Sequence, residues 1–169
     1  MKLMKIVKDT EKSLRQPSVE VSEPFSKEDI NLALYLHKHL LFAEKEENQK
    51  KYGIRAGVGL AAPQVGVNKR IIAVYINYDG HENKEDDYKT EFAIINPKII
   101  SHSVRQAYLL GGEGCLSVEN AHEGYVPRYA NITVTGYDCL TKQFINLKFR
   151  GYEAIVFQHE IDHCNGILI

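Results

Sequence analysis

His159-Glu160-Ile161-Asp162-His163 constrains this chain more than any other stretch of its 169 residues. Residues four apart lie one above the other on a helix, so an HExxH run brings two imidazoles to one face, within reach of one ion. Glu160, beside the first imidazole, stands where a carboxylate can handle the protons of water activated by that ion. A catalytic site of this kind needs a third donor and an open position for water. Among residues 164–169 only Cys164 is a good donor, and it points about 100° away from His163 around the helix. The third donor is therefore expected from upstream, so the fold has to carry a distant segment to this helix.

The length suits one metallohydrolase domain, residues 1–169, able to close a substantial core. Its formal charge of -1 argues against a nucleic-acid groove or an anionic membrane surface as partner. No apolar run approaches the roughly 18 residues of a membrane span. Met1 to Lys8 is basic but lacks the apolar stretch of a secretory signal. Cys115, Cys139 and Cys164 cannot all pair within the chain, which favours a reducing compartment and free or metal-bound thiols. A cytoplasmic location is expected.

Residues 1–25, with Pro17 and Pro24, read as an extended lead-in. Ser26-Lys27-Glu28-Asp29 resembles a capping box, and apolar positions 30, 33, 34, 40 and 41 carry a helical period. The spacing predicts a long first helix to about Lys50, its charged tail solvated, ending before Gly53. Arg70–Ile76, Phe92–Pro97 and Val104–Leu110 read as strands, with a polar loop over 77–91. Ile132–Tyr137 and Phe144–Phe149 form a hairpin around Leu140-Thr141-Lys142, and Gly151–Cys164 is a second helix stopped by Asn165-Gly166. Without βαβ alternation this is an α+β fold: short, mainly antiparallel strands around a C-terminal metal-binding helix, with a long N-terminal helix.

Two upstream segments could meet that helix. Gly57-Val58-Gly59-Leu60-Ala61-Ala62-Pro63-Gln64 has small residues that let another backbone approach closely. Read alone it is a tight turn before a strand. Pro63 restricts Ala62 to an extended conformation and helps aim Gln64, whose neutral NH2 group suits polarising a carbonyl. Gly111-Gly112-Glu113-Gly114-Cys115-Leu116-Ser117 presents a thiol among glycines after a strand. A free cysteine is most often a small buried hydrophobe. An HExxH pair short of a donor makes Cys115 the candidate third ligand, while Cys139, beside a hairpin turn, reads as structural. His37, His39, His81, His102 and His122 are expected in surface or capping roles.

With these three segments in order, the chain resembles the peptide deformylases over about residues 5–168. The polar insertions and the run Gly112-Glu113-Gly114-Cys115-Leu116-Ser117-Val118 are more similar to the type II members of Gram-positive bacteria and their wall-less relatives. The resemblance implies removal of the N-terminal formyl group from formyl-methionine of newly made polypeptides, releasing formate. It implies metal ligation by Cys115, His159 and His163, with Glu160 as acid/base. Gln64 and the Leu116 N–H would bind the developing oxyanion, and Gly59 would hydrogen-bond the substrate backbone in a strand-like pose. A methionine-sized pocket would be lined by Val58, Ile155 and Val156, and Glu113 would pair with Arg128 to hold the Cys115 loop. Fe2+ is the ion the resemblance implies, replaceable by Zn2+, Ni2+ or Co2+; the ligand set alone suggests zinc. The implied partners are nascent N-formyl-methionyl peptides and, transiently, the ribosome, with the protein monomeric. Members usually continue past Asn165-Gly166-Ile167-Leu168 with a further C-terminal element that this sequence does not include.

Two other readings stay open at this level. A zinc endopeptidase would cleave internal peptide bonds and ignore a formyl group. A structural site would close with Cys164 as fourth ligand and give Glu160 no role.

Overall fold

The computed structural model describes residues 1–78, 88–119 and 124–169. Most of the polar loop expected over 77–91, with His81, and also His122, lie outside the described residues.

β2 (Ile71–Asn77) organises the molecule, and its continuous apolar run has a simple cause: it is covered on both faces. Ile71, Ala73 and Tyr75 pack toward α1 (Lys27–Glu44) with Leu36 and Leu40, whereas Ile72, Val74 and Ile76 face Phe157 and Ile161 of α3 (Gly151–Cys164). Strict alternation of side chains along a strand divides the core into these two layers. The strands β1 (Gly59–Ala61), β2, β3 (Lys89–His102), β6 (Asn131–Asp138) and β7 (Gln143–Arg150) form one antiparallel sheet in the order β1-β2-β3-β6-β7. β4 (Gln106–Ala107) and β5 (Arg128–Tyr129) make a separate pair. This is the expected α+β arrangement of antiparallel strands, a long N-terminal helix and a C-terminal helix. No helix among the described residues is long and apolar enough to cross a membrane.

Four local expectations need correction. The first helix stops at Glu44, because Lys45 is extended (φ -75°, ψ 121°), and a separate α2 (Glu46–Tyr52) follows. The break is capped by side chains: Asn48 Nδ2 donates to Phe42 O and Gln49 Nε2 to Ala43 O, both at 2.9 Å, meeting carbonyls a helix end leaves open. Gly53, at φ 62°, ends α2 as the sequence suggested. Val104–Leu110 is no full strand: only Gln106 and Ala107 pair, and Val104 and Leu110 are 97% and 82% exposed. The stretch expected at 92–97 extends to His102, running past Pro97 through register shifts that accommodate the missing N–H. Lastly, the glycine-rich segment is an edge strand, β1, followed by a one-turn 3-10 helix over Ala62–Val65. The extended residue there is Ala61, not Ala62, since Pro63 sits within the first turn of that helix, where its lost donor is tolerated.

Candidate metal centre

α3 supplies the first two donors. It lies buried from Ala154 to Ile161, and its Gln158 is tied to β5 through Tyr129 N→Oε1 (2.8 Å) and Nε2→Tyr129 O (2.9 Å). One turn apart, the rings of His159 and His163 have centroids 5.0 Å apart. The third donor arrives on a turn after β4: Val118 N–H donates to Cys115 O at 3.1 Å, closing Cys115–Val118 into a β-turn. Cys115 Sγ then lies 3.5 Å from His163 Nε2, and one ligand atom from each of Cys115, His159 and His163 falls within 4.8 Å of the others, all three residues buried. A thiolate and two imidazoles at this spacing fit one divalent cation. Among the described residues Cys164 is outside this group; it is fully buried, and burial pushes its thiol up to about 12. A site closed by Cys164 is therefore not what the fold builds.

A buried charge network orients the donors. Nδ1 of His159 donates to Glu113 Oε1 at 3.0 Å, which leaves Nε2 toward Cys115. Glu113 is held in turn by Arg128, through Nη2 at 2.7 Å and Nε at 3.0 Å, and Arg128 Nη1 also pairs with Asp162. The expected Glu113–Arg128 pair thus forms, and it reaches a ligand imidazole as well as the loop. Burial alone would raise the Glu113 carboxyl, but His159 and Arg128 hold it down to about 2. Burial disfavours charge on both histidines and takes His163 down to about 3. His159 instead rises to about 10, through its contacts with Cys115 and Glu113. Surroundings negative enough to keep a proton on His159 also attract a cation.

Glu160 lies against β1, close to Gly59. It is 4% exposed, its Oε2 has no hydrogen-bond partner among the described residues, and burial pushes its carboxyl up to about 7. A Cβ on Gly59 would lie 2.5 Å from Glu160 Oε1, so this glycine is what lets the carboxylate stand beside the edge strand. Gln64 is fixed by Ala61 N→Oε1 at 2.9 Å and turns its Nε2 to Cys115 Sγ (3.7 Å) and Ser117 Oγ (3.3 Å). Val58, Gly59, Leu116, Ile155 and Val156 line one cleft of about 290 Å³ together with Cys115, His159 and Glu160. Gln64 and His163 do not line this cleft; they stand behind it, each in contact with Cys115 Sγ.

The histidines reveal one error: His37 and His39 are buried in α1, His37 against Glu91 and His39 with neither ring nitrogen bonded among the described residues. They face different ways, as an i, i+2 spacing requires: His37 meets Tyr75 and Glu91 of the sheet, whereas His39 lies by Tyr35 and lines a cavity with residues 3–8, so each is covered by a different part of the chain. Three further residues were given no role by the sequence reading. Asp162 sits inside HExxH but serves Arg128, Ser117 meets Gln64, and Arg55, two residues before the glycine run, reaches the Cys115 turn. A lone arginine beside a glycine-rich segment was the only visible signal.

The sequence matches the family model for polypeptide deformylase over residues 3–169. It is 47% identical over 163 residues to a peptide deformylase of Oceanobacillus iheyensis, covering 96% of this chain and 85% of that protein. A Staphylococcus epidermidis peptide deformylase is 44% identical, with 96% and 86% covered. Among solved structures, the peptide deformylase of Ehrlichia chaffeensis superposes with a TM-score of 0.76 at 32% identity, covering 99% of this chain and 86% of that one. A probable peptide deformylase from Synechococcus phage S-SSM7 gives 0.73 at 36% identity, with 98% and 97% covered.

Proposed function

The chain belongs to the polypeptide deformylase family, and from that premise we infer how its residues carry the reaction. It is a metal-dependent hydrolase that removes the N-terminal formyl group from N-formyl-methionyl peptides, releasing formate. The observation that carries this reading is the meeting of Cys115, His159 and His163 within 4.8 Å, beside a buried Glu160 carboxyl with a free oxygen.

Cys115, His159 and His163 would hold the ion, which would supply Lewis-acid activation of water at that position. Glu160 accepts a proton from the attacking water and returns it to the departing amine nitrogen, a task suited to a carboxyl poised near neutrality. Negative charge growing on the formyl oxygen is met by the Gln64 amide and the Leu116 N–H; losing such a donor costs about 3–4 kcal/mol. The peptide lies along the open edge of β1, hydrogen-bonded at Gly59, because β2 occupies only the other edge. Its methionine side chain enters the cleft at Val58, Ile155 and Val156. Substrates are nascent chains met by transient ribosome association, and the protein works as a cytoplasmic monomer of one domain, residues 1–169. Fe2+ is the ion family resemblance favours, with Zn2+, Ni2+ or Co2+ able to substitute in the same donor set. Type II membership accords with the segment from Gly112 to Val118.

Formate release from formyl-Met-Ala-Ser by anaerobically purified protein, with bound metal quantified, tests the reading. Stoichiometric metal and steady formate production are expected. Cleavage of internal bonds with the formyl group intact would overturn it.

A further inference from the structure

We propose that Arg55 is a positioning residue that aims the Leu116 N–H at the reacting oxygen. The proposal rests on the oxyanion assignment made above. Arg55 Nη2 donates to three carbonyls of the cysteine turn: Cys115 O at 3.1 Å, Leu116 O at 2.8 Å and Val118 O at 3.2 Å. Two N–H bonds serve three acceptors, so at least one is shared. The carbonyl of Cys115 and the N–H of Leu116 belong to the same planar trans peptide and point in opposite directions. Whatever anchors Cys115 O therefore sets the direction of the Leu116 N–H.

Two donors hold that oxygen, the guanidinium from outside and Val118 N–H (3.1 Å) from within the turn. Removing Arg55 leaves the inner bond and the turn itself. The expected defect is misalignment, not collapse. Arg55 also opens the segment that becomes the substrate's edge strand, and Gly57 lies close enough that a Cβ there would come within 2.9 Å of the Leu116 side chain. One arginine thus ties the strand that receives the peptide to the peptide plane that receives the charge.

The test uses Co2+-loaded holoenzyme and formyl-Met-Ala-Ser. Arg55→Met should lower kcat by about 10- to 100-fold, as expected of a misaligned donor, with KM within about twofold and metal content and Tm unchanged. Arg55→Lys, keeping a shorter, single-headed cation, should lose less. In 15N-labelled Zn2+-loaded protein the Leu116 amide resonance should move in Arg55→Met. A kcat within twofold of wild type overturns the proposal, as does a rise in KM at constant kcat, which would mark a substrate contact. Loss of metal together with a fall in Tm also overturns it, marking a merely structural arginine. Gln64→Leu separates the two levels: slow Gln64→Leu with normal Arg55→Met rejects only the arginine. If neither variant slows, the oxyanion assignment fails, and an inactive wild-type holoenzyme rejects the proposed reaction.

Discussion

Glu113 Oε1 accepts hydrogen bonds from His159 Nδ1 at 3.0 Å and Arg128 Nη2 at 2.7 Å, so one buried oxygen fixes a ligand imidazole and neutralises an arginine. Removing the carboxylate frees the ring. Glu113→Ala should weaken metal binding by about 10- to 100-fold, read by competition with a chromophoric chelator. Arg128→Met leaves the Glu113 charge buried with less compensation and should cost about 3–5 kcal/mol in urea unfolding. Unaltered metal affinity in the first variant would show that ring orientation is set elsewhere.

The same carboxyl predicts an acid limit. Its value of about 2 in the folded protein lies below the ordinary 4.5, so the stability it contributes is intact above about 4.5 and is lost as the pH falls toward 2. Wild type should therefore lose stability over that window more steeply than Glu113→Gln, whose amide does not titrate. Parallel unfolding curves for the two proteins between pH 5 and 3 would contradict this.

Glu160→Gln keeps the shape of the side chain and removes the base. Metal content should stay at the wild-type level while kcat falls about 10²- to 10⁴-fold. Substantial turnover by the glutamine variant would move the proton transfer to another group.

Gly59→Ala tests the close approach of edge strand and carboxylate. A methyl group there would lie 2.5–2.7 Å from three atoms of Glu160, which is buried and must shift. A drop in kcat of about 10-fold or more is expected, with metal retained, since displacing a reacting group by an ångström can cost that much. Wild-type kinetics in this variant would show that the carboxylate has room to spare.

His39 carries a stability prediction with the opposite sign from most core substitutions. The ring is 1% exposed with both nitrogens unpartnered among the described residues, and burial lowers its pKa below the ordinary 6.5. Stability tied to the neutral ring is intact above about 6.5 and is lost as the pH falls below it, because the unfolded chain takes up the proton more readily. His39→Leu removes two unpaired polar atoms, each of a kind that costs about 1–3 kcal/mol when buried. The variant should be more stable than wild type, by a larger margin at pH 5 than at pH 8. A destabilised leucine variant at both pH values would mean the ring is paired after all.

Much of this site was legible because its chemistry is local. HExxH needs only the helical period to bring two imidazoles together, and the small residues of 57–64 by themselves announce a close backbone approach. The Ser26 cap, the Gly53 stop and the β6–β7 hairpin are likewise set by side chains acting on neighbouring backbone. Val104–Leu110 was misleading because apolar content raises strand propensity but cannot supply a partner, and the sheet has none to offer there. The break at Lys45 needed Asn48 and Gln49 to turn back on Phe42 and Ala43, a competition that composition does not display.

By itself, then, the amino-acid order determined which groups could bind a cation and which carboxylate could move a proton, since residue type and short spacing decide both. Tertiary structure alone decided how those groups are aimed. Glu113 reaches His159 across 46 positions and Arg55 reaches the Cys115 turn across 60, through contacts that exist only when β1, the turn and α3 converge. Orientation of a ring or a peptide plane depends on partners distant in the chain, and no local pattern encodes them.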